Sequence, residues 1–239
     1  MKKDKITAII LAAGQGKRMN SPVAKQFLTL QGRPVLYYSI KAFEDSSVDD
    51  IILVTGSGQE EYCKENIIAF YHINKVSKVI EGGAERYDSV YRALTNAGQA
   101  DYVLIHDGAR PFVTTQLIEN VIQQVKKFQA CIVGTLVKET IKVVDQNGLI
   151  TSTPNRNTLW SAQTPQAFKY TEIQKAYQLF YKIENKQEQE ITDDAMVYET
   201  FLKKQVKMLM GEYHNIKITT PEDLRLAEVL MEALLYEKT

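Results

Sequence analysis

Residues 6–19 read Ile6-Thr7-Ala8-Ile9-Ile10-Leu11-Ala12-Ala13-Gly14-Gln15-Gly16-Lys17-Arg18-Met19. A β-branched apolar run that stops at small residues and glycines predicts a strand buried on both faces, over 6–11, opening into a tight loop. The basic residues Met1 to Lys5 ahead of it give a superficial likeness to a short signal peptide. The immediate Gly14-Gln15-Gly16-Lys17-Arg18 reads better as a first strand entering a phosphate-type loop, and the rest of the chain has no secreted-protein features.

Outward from this stretch, strand-like and helix-like segments alternate. Strands are predicted over 50–54, 76–80, 102–105, 130–136, 206–210 and 215–218. Helices are predicted over 34–43, 59–70, 85–97, 171–182 and 193–201. Another follows the 3.6-period stripe Leu117, Ile118, Val121, Ile122, Val125 and Phe128. Thr220-Pro221-Glu222-Asp223 opens the last helix, with a Thr cap, a first-turn proline and acids where the dipole favours them. Such alternation predicts an α/β protein whose mainly parallel sheet is covered on both faces, as one domain over 1–239. The rhythm breaks at 138–160, a polar, basic stretch around Asp145-Gln146-Asn147-Gly148. Asn-Gly signals a hairpin, here either an edge hairpin or an arm projecting from the body.

The composition bounds the function. Apolar residues make up 44% and charged residues 24% of 239, which argues against disorder. Lys plus Arg equals Asp plus Glu, 29 each, so nothing points to a nucleic-acid-coating protein. No apolar stretch approaches the roughly 20 residues of a membrane helix. Cys63 and Cys131 read as small buried hydrophobes of a reducing compartment, making the cytoplasm the expected location. His72, His106 and His214 are too widely spaced for a zinc site.

Ligands of such sheets bind at the carboxyl ends of strands, and three of those ends are unusual. At the first, a dinucleotide fingerprint would need a third glycine where Met19 stands. A P-loop would need Ser or Thr where Arg18 stands. What remains is a phosphate loop of another kind, carrying Lys17, Arg18 and, after Pro22, Lys25; the plainer alternative is a βα turn with solvated basic residues. The second is His106-Asp107-Gly108-Ala109-Arg110-Pro111, directly after the fourth predicted strand. Here Asp107 suits Mg²⁺ shared with substrate phosphates, or substrate hydroxyls, or simply an Asp–Arg pair closing the loop. The third spans 155–166, where Arg156 has the planar charge suited to bidentate phosphate recognition and Thr164-Pro165-Gln166 reads as rigid loop. Thr192-Asp193-Asp194 most simply caps a helix. Lys217, between Ile216 and Ile218 on a presumed core strand, must point at an edge, a cleft or an anion. No Ser/His/Asp or Cys/His nucleophile arrangement is visible. Cations (Arg18, Lys25, Arg156, Lys217), small-residue loops and one carboxylate fit transfer between phosphates, where catalysis is mainly positioning and charge stabilisation.

The residues also carry a resemblance. Leu11-Ala12-Ala13-Gly14-x-Gly16-x-Arg18-Met19 with Lys25-Gln26-Phe27 resembles the nucleotide signature of sugar-phosphate nucleotidylyltransferases. His106 to Phe112, Leu159-Trp160-x-x-Gln163-Thr164-Pro165-Gln166 and Asn215-Ile216-Lys217-Ile218-Thr219-x-Pro221-Glu222-Asp223 narrow it to the 2-C-methyl-D-erythritol 4-phosphate cytidylyltransferases of the non-mevalonate isoprenoid pathway. The likeness runs in order from residue 6 to about 230. Gly108 stands where that family often has Ala. Ribitol 5-phosphate cytidylyltransferases share the Lys-Gln-Phe, Thr-Pro-Gln and Asn-Ile-Lys-Ile-Thr pieces. They typically have Ala-Val where Gly108-Ala109 stands and lack the Asn157-Thr158-Leu159-Trp160 approach. Glycosyltransferases usually show an Asp-x-Asp pair absent here, and a non-catalytic nucleotide-binding regulator would have no reason to keep all four cations.

The resemblance implies a Rossmann-like fold with a mixed, mainly parallel sheet and a β-hairpin arm at about 138–158 that embraces a second subunit. It implies CTP and methylerythritol phosphate as substrates, Mg²⁺ as cofactor and a homodimer with shared active sites. By resemblance, Arg18 and Lys25 stabilise the triphosphate, and Arg156 and Lys217 position the acceptor phosphate. Ala12, Ala13, Gly14, Gly16, Gly83, Ala84 and Ser89 serve the nucleotide. Asp107, Arg110, Thr140 and Thr164 serve the acceptor, with Thr140 and Arg156 coming from the partner's arm. No direct metal ligand is assigned; Mg²⁺ would be held mainly by the CTP phosphates, with Asp107 as the candidate protein ligand.

Overall fold

The apolar run at the amino end does form a buried strand, β1 (Ile6–Ala12), and the rest of the sheet is laid out around it. The computed structural model describes residues 3–14, 16–19, 23–184 and 188–236; Gln15, Pro22 and the Lys17 side chain, named above, lie outside that description. Short strands β2 (Thr29–Leu30) and β3 (Arg33–Pro34) pair beside helix α1 (Val35–Glu44). There follow β4 (Asp50–Thr55), α2 (Glu60–Cys63), which continues as a π-helix over Lys64–Ala69, β5 (Val76–Glu81), α3 (Arg86–Asn96), β6 (Tyr102–Asp107), α4 (Thr115–Phe128) and β7 (Ala130–Leu136). The second half contains β8 (Val143–Val144), β9 (Ile150–Ser152), β10 (Trp160–Lys169), α5 (Tyr170–Phe180), α6 (Asp194–Leu202), β11 (Lys207–Met210) and α7 (Pro221–Tyr236).

Seven strands form the central sheet in the order β11-β7-β10-β6-β1-β4-β5. β10 is antiparallel to both its neighbours, and the other pairings are parallel. The chain builds β1, β4 and β5 outward on one side, then returns to lay β6 on the other side of β1. A crevice therefore opens at the carboxyl ends of β1 and β6, where the order of strand addition reverses. One face of the sheet is covered by α1, α2 and α4, whose buried side chains include Leu36, Ile40, Phe43, Ile118 and Val121. The other is covered by α3, α5 and α6, with Val90, Leu94, Tyr177, Phe180 and Tyr198. α4 shows why the periodic stripe works. Five of its residues, Leu117, Ile118, Val121, Ile122 and Val125, are buried, each contributing about 1.5–3 kcal/mol, and Thr114 Oγ1 caps its first turn by accepting from Leu117 N.

Three readings of the sequence are corrected. Residues 215–218 are not a strand; they run as a loop whose Ile218 N–H donates to Ala109 O. Thr164-Pro165-Gln166, read as rigid loop, lies within a sheet strand, β10. The Thr164-Pro165 step, which is cis, falls in the irregularity between Ala162 and Gln166, where the pairing with β7 is interrupted and proline's missing N–H is tolerated. Phe128, placed on the core stripe, is 39% exposed, because α4 ends there with Gln129 left-handed (φ 65°). The segment around 138–158 is a two-stranded hairpin, β8 with β9, detached from the central sheet. Its turn is held by Asp145 Oδ1, which accepts from Asn147 N and Leu149 N at 2.9 Å each, with Gly148 at φ 79°.

Candidate active site

Two loops at the carboxyl edge approach each other closely where one carries glycine: a Cβ on Gly82, after β5, would stand 2.5 Å from Ala13 Cβ, after β1. After β1, Gln26 Nε2 donates to Ala12 O at 2.6 Å and draws the turn containing Lys25 over the loop. Gly16, at φ 63°, lets the chain double back; a Cβ there would stand 3.3 Å from Lys25 Cβ. After β5, a Cβ on Gly83 would overlap Asp88 Cβ at 2.2 Å, and the Gly83 amide donates to Ser89 Oγ at 3.0 Å. Between the loops lies a cleft of about 640 Å³, with Ala12, Ala13 and Gly14 on one wall and Gly83, Ala84 and Ser89 on the other. Lys25, Arg86, Asp107 and Lys217 close its inner end.

Asp107, the last residue of β6, is the electrostatic centre. Its Oδ2 lies 2.8 Å from Lys217 Nζ and 3.5 Å from Arg110 Nε, and its Oδ1 lies 3.5 Å from Arg86 Nε. Burial works against its charge, but Arg86, Lys217 and Arg110 outweigh burial and hold the carboxyl well below the usual carboxylate range. Lys25 feels the opposite balance. Burial, then the charges of Lys217 and Arg18, push its ammonium down to about 8, with Asp107 opposing. At neutral pH the ammonium is still mostly charged, and an anion arriving beside it would favour that charged form further.

Beyond Asp107 a second hollow of about 490 Å³ opens, walled by Arg110, Gln163, Thr164, Thr192 and Asp193 and sharing Arg86, Asp107 and Lys217 with the first. Its back is fixed by a relay through β10. Thr164 Oγ1 accepts from Asp107 N at 3.1 Å and lies 3.0 Å from His106 Nδ1, while His106 Nε2 lies 3.3 Å from the Arg110 carbonyl. A carbonyl only accepts, so Nε2 carries the hydrogen and Nδ1 accepts from the Thr164 hydroxyl. Burial pushes the His106 imidazole down to about 3, so it stays neutral. Gln166 Oε1 accepts from Asp194 N and Ala195 N, which fastens the first turn of α6 to the same wall.

The structure brings most of the sequence-predicted residues into these two hollows. Ala12, Ala13, Gly14, Gly83, Ala84, Ser89, Lys25 and Lys217 line the first, and Asp107, Arg110, Thr164 and Lys217 the second. Gly16 lines the adjoining surface toward β4. Arg18 is exposed at the mouth, outside the lining but close enough for its charge to depress Lys25. Arg156 and Thr140 are not in the cleft of their own chain: both are exposed on the hairpin segment, with Arg156 Nη1 donating to Lys138 O at 3.2 Å. Asp107 closes the strand rather than following it, so its carboxylate is held by the sheet.

The sequence reading missed Arg86, Gln166 and the second role of Asp194. Asp193 is the cap expected, accepting from Met196 N, but Asp194 is fully buried and accepts from both Arg86 terminal nitrogens, at 3.0 and 2.7 Å, and from Tyr177 OH at 2.6 Å. One signal was available: Arg86 is the first residue of a helix, where the dipole disfavours a cation.

A glycine loop and a ring of cations at the switch point of a mainly parallel sheet define an α/β nucleotide-binding protein of the nucleotidyltransferase class. Comparison with known proteins gives the family. The chain belongs to the 2-C-methyl-D-erythritol 4-phosphate cytidylyltransferase family, whose model matches residues 6–233. The enzyme of that name from Lachnoclostridium phytofermentans is 50% identical over 228 residues, covering 95% of this chain and 97% of its own length. That of Clostridium botulinum strain Eklund 17B is 49% identical over 227 residues, covering 95% and 99%. The crystal structure of 4-diphosphocytidyl-2C-methyl-D-erythritol synthase from Anaerococcus prevotii superposes with a TM-score of 0.84 at 33% identity, covering 96% of each chain. The cytidylyltransferase of Thermus thermophilus gives 0.75 at 28% identity, covering 94% and 98%.

Proposed function

We infer that this chain transfers the cytidylyl group of CTP to 2-C-methyl-D-erythritol 4-phosphate, with residues 1–239 acting as one catalytic domain. The observation that carries the reading is the pair of hollows meeting at Asp107: a narrow, small-residue slot on one side and a polar, cationic one on the other. Two phosphorylated molecules placed in them would meet at the shared wall.

The acceptor phosphate is already largely dianionic near neutrality, its second pKa being about 6, so no strong general base is needed. Its oxygen attacks the α-phosphorus of CTP, a new P–O bond forms, and the bond to the bridging oxygen breaks with its electron pair leaving on pyrophosphate. The obstacle is the approach of one anion to another, and this chain's cations meet it. Lys25, with Arg18 at the mouth, receives the triphosphate and the charge that develops on it. Lys217 turns to the acceptor phosphate, and Arg110 and Thr164 flank the acceptor's hydroxyls. Ala12, Ala13 and Gly14, facing Gly83 and Ser89, would receive the cytosine base.

Mg²⁺ fits this chain in one way. Among the described residues no group of three metal-ligating side chains exists, and Asp107 is the ionised carboxylate shared by the two hollows, so the ion would take one protein oxygen and complete its shell from phosphates. Bound there, it would neutralise charge on the phosphates.

The homodimer reading is supported by the hairpin. Ile141, Val143, Val144, Leu149 and Ile150 are each 39–66% exposed, an apolar surface that needs a cover. A partner on which this arm lay would receive Arg156 and Thr140. The test of the reaction is pyrophosphate release on mixing the chain with CTP and 2-C-methyl-D-erythritol 4-phosphate. No release with this acceptor, alongside release with ribitol 5-phosphate, would reassign the substrate.

A further inference from the structure

Arg86 occupies a place that the reaction as described leaves without a part. It stands on the wall shared by the two hollows. Its two terminal nitrogens form a fork onto the buried Asp194 carboxylate at 3.0 and 2.7 Å, and its Nε faces Asp107 Oδ1 at 3.5 Å. One planar cation thus spans a carboxylate at the end of β6 and a carboxylate in the first turn of α6. The fork is itself braced, since Tyr177 OH donates to Asp194 Oδ1 at 2.6 Å and Gln166 Oε1 accepts from Asp194 N. The residues just ahead, Thr192 and Asp193, line the second hollow. The position is costly on local grounds, because a cation at the first residue of a helix opposes the dipole. Arg86 keeps it through contacts that reach across the sheet.

Asp107 is also held by Lys217, on its other oxygen. Under the reaction proposed above, on which this inference rests, Lys217 leaves Asp107 for the acceptor phosphate. The carboxylate then keeps Arg110 Nε at 3.5 Å on the same oxygen and Arg86 Nε at 3.5 Å on the other, and of these two arginines it is Arg86 that also reaches Asp194. We propose that Arg86 is a positioning residue: it retains Asp107 when Lys217 turns to the acceptor, and through Asp194 it ties that carboxylate to the Thr192-Asp193 wall, so that acceptor binding depends on the Arg86 fork while nucleotide binding does so much less.

Steady-state kinetics with CTP and the acceptor varied separately test this on Arg86→Lys and Arg86→Gln, with the folded fraction of each measured by circular dichroism. Lysine keeps the charge but has no planar fork to span two carboxylates. The expected result is an acceptor KM raised about tenfold or more in both variants, with the KM for CTP within about threefold of wild type. A fall in kcat that follows the folded fraction with both KM values unchanged would make Arg86 a packing element and overturn the proposal, as would full rescue by lysine. Tyr177→Phe, which keeps both charges and removes only the brace on Asp194, covers the case in which the Arg86 variants do not fold. It should raise the acceptor KM about two- to threefold, and no change there counts against the proposal. A wild-type chain that does not turn over this acceptor would remove the reaction assignment, and this inference with it; normal wild-type turnover with unshifted variants would remove this inference alone.

Discussion

Lys217 Nζ lies 2.8 Å from Asp107 Oδ2 across the floor of the cleft. The cation assigned to the acceptor phosphate is therefore already paired with an internal anion. Arg86 and Arg110 share that anion, and Lys25 stands close enough to lose part of its own charge. The resting site is a net-positive cluster of four cations around one carboxylate, and an incoming phosphate must compete with Asp107 for Lys217.

Lys25 should take up a proton when CTP binds. Its pKa of about 8 in the free chain, set first by burial and then by Lys217 and Arg18, must rise when a triphosphate arrives, because an anion favours the charged form. At pH 8, calorimetry in buffers of differing ionisation enthalpy should show uptake of about half a proton per CTP, falling toward zero near pH 6.5, where Lys25 is already charged. Lys25→Arg should abolish the uptake. Lys25→Ala should cut turnover by about 10²–10³, the scale of losing one transition-state donor. Buffer-independent enthalpies in the unaltered chain would show that Lys25 does not meet the nucleotide.

Arg156 and Lys217 should complement each other in mixed dimers. Arg156 is exposed on the hairpin, away from its own cleft, whereas Lys217 lines that cleft. If the arm serves the partner's site, mixing Arg156→Ala with Lys217→Ala chains yields one site with both lesions and one intact site. Activity should return to about half of wild type per heterodimer. With subunit exchange verified by mass spectrometry of tagged chains, no recovery would mean that both residues serve one chain's site.

Stability should fall between pH 6.5 and 4, with His106 as the cause. Unfolded, the imidazole titrates near 6.5; folded, burial pushes it down to about 3. The unfolded chain binds the extra proton in that window, so the contribution is fully present above 6.5 and is lost as pH falls. It amounts to about 2 kcal/mol between pH 7 and pH 5. Asp107, held below the usual carboxylate range, adds a further loss only below about 3.8, its unfolded value. Urea unfolding at pH 7 and pH 5 measures the difference. His106→Gln, while less stable at pH 7, should show a correspondingly smaller difference; an unchanged one would move the acid sensitivity elsewhere.

Gly108→Ala should destabilise this chain. An added Cβ would stand 2.8 Å from Leu36 Cδ1 and 3.0 Å from Leu11 O, so the buried Leu36 side chain must move, at about 1–3 kcal/mol. Combining it with Leu36→Val, which removes the closest atom, should cost less than the sum of the single changes. Strict additivity in thermal unfolding would place the strain on the backbone contact with Leu11 alone.

The sequence by itself determined the strand that leads into the glycine loop, the alternation that builds a parallel sheet, and the helix stripe of α4. These depend on local periodicity and on residues whose backbone preferences act within a few positions. It also supplied, through ordered motifs, the family and most of the residues lining the cleft. Tertiary structure alone decided that 160–169 is a strand, because its register comes from β6 and β7 and its proline is tolerated only at a bulge. It alone showed that Lys217 stands on a loop. Its direction toward Asp107 follows from Ile218 bonding to Ala109, 109 residues away in the chain. Arg86 and Asp194 were illegible for the same reason: 108 residues separate them, and no local pattern records that a buried carboxylate in one helix waits for an arginine at the start of another. Periodicity is written along a chain, whereas the charge balance of a site is set by distances through space.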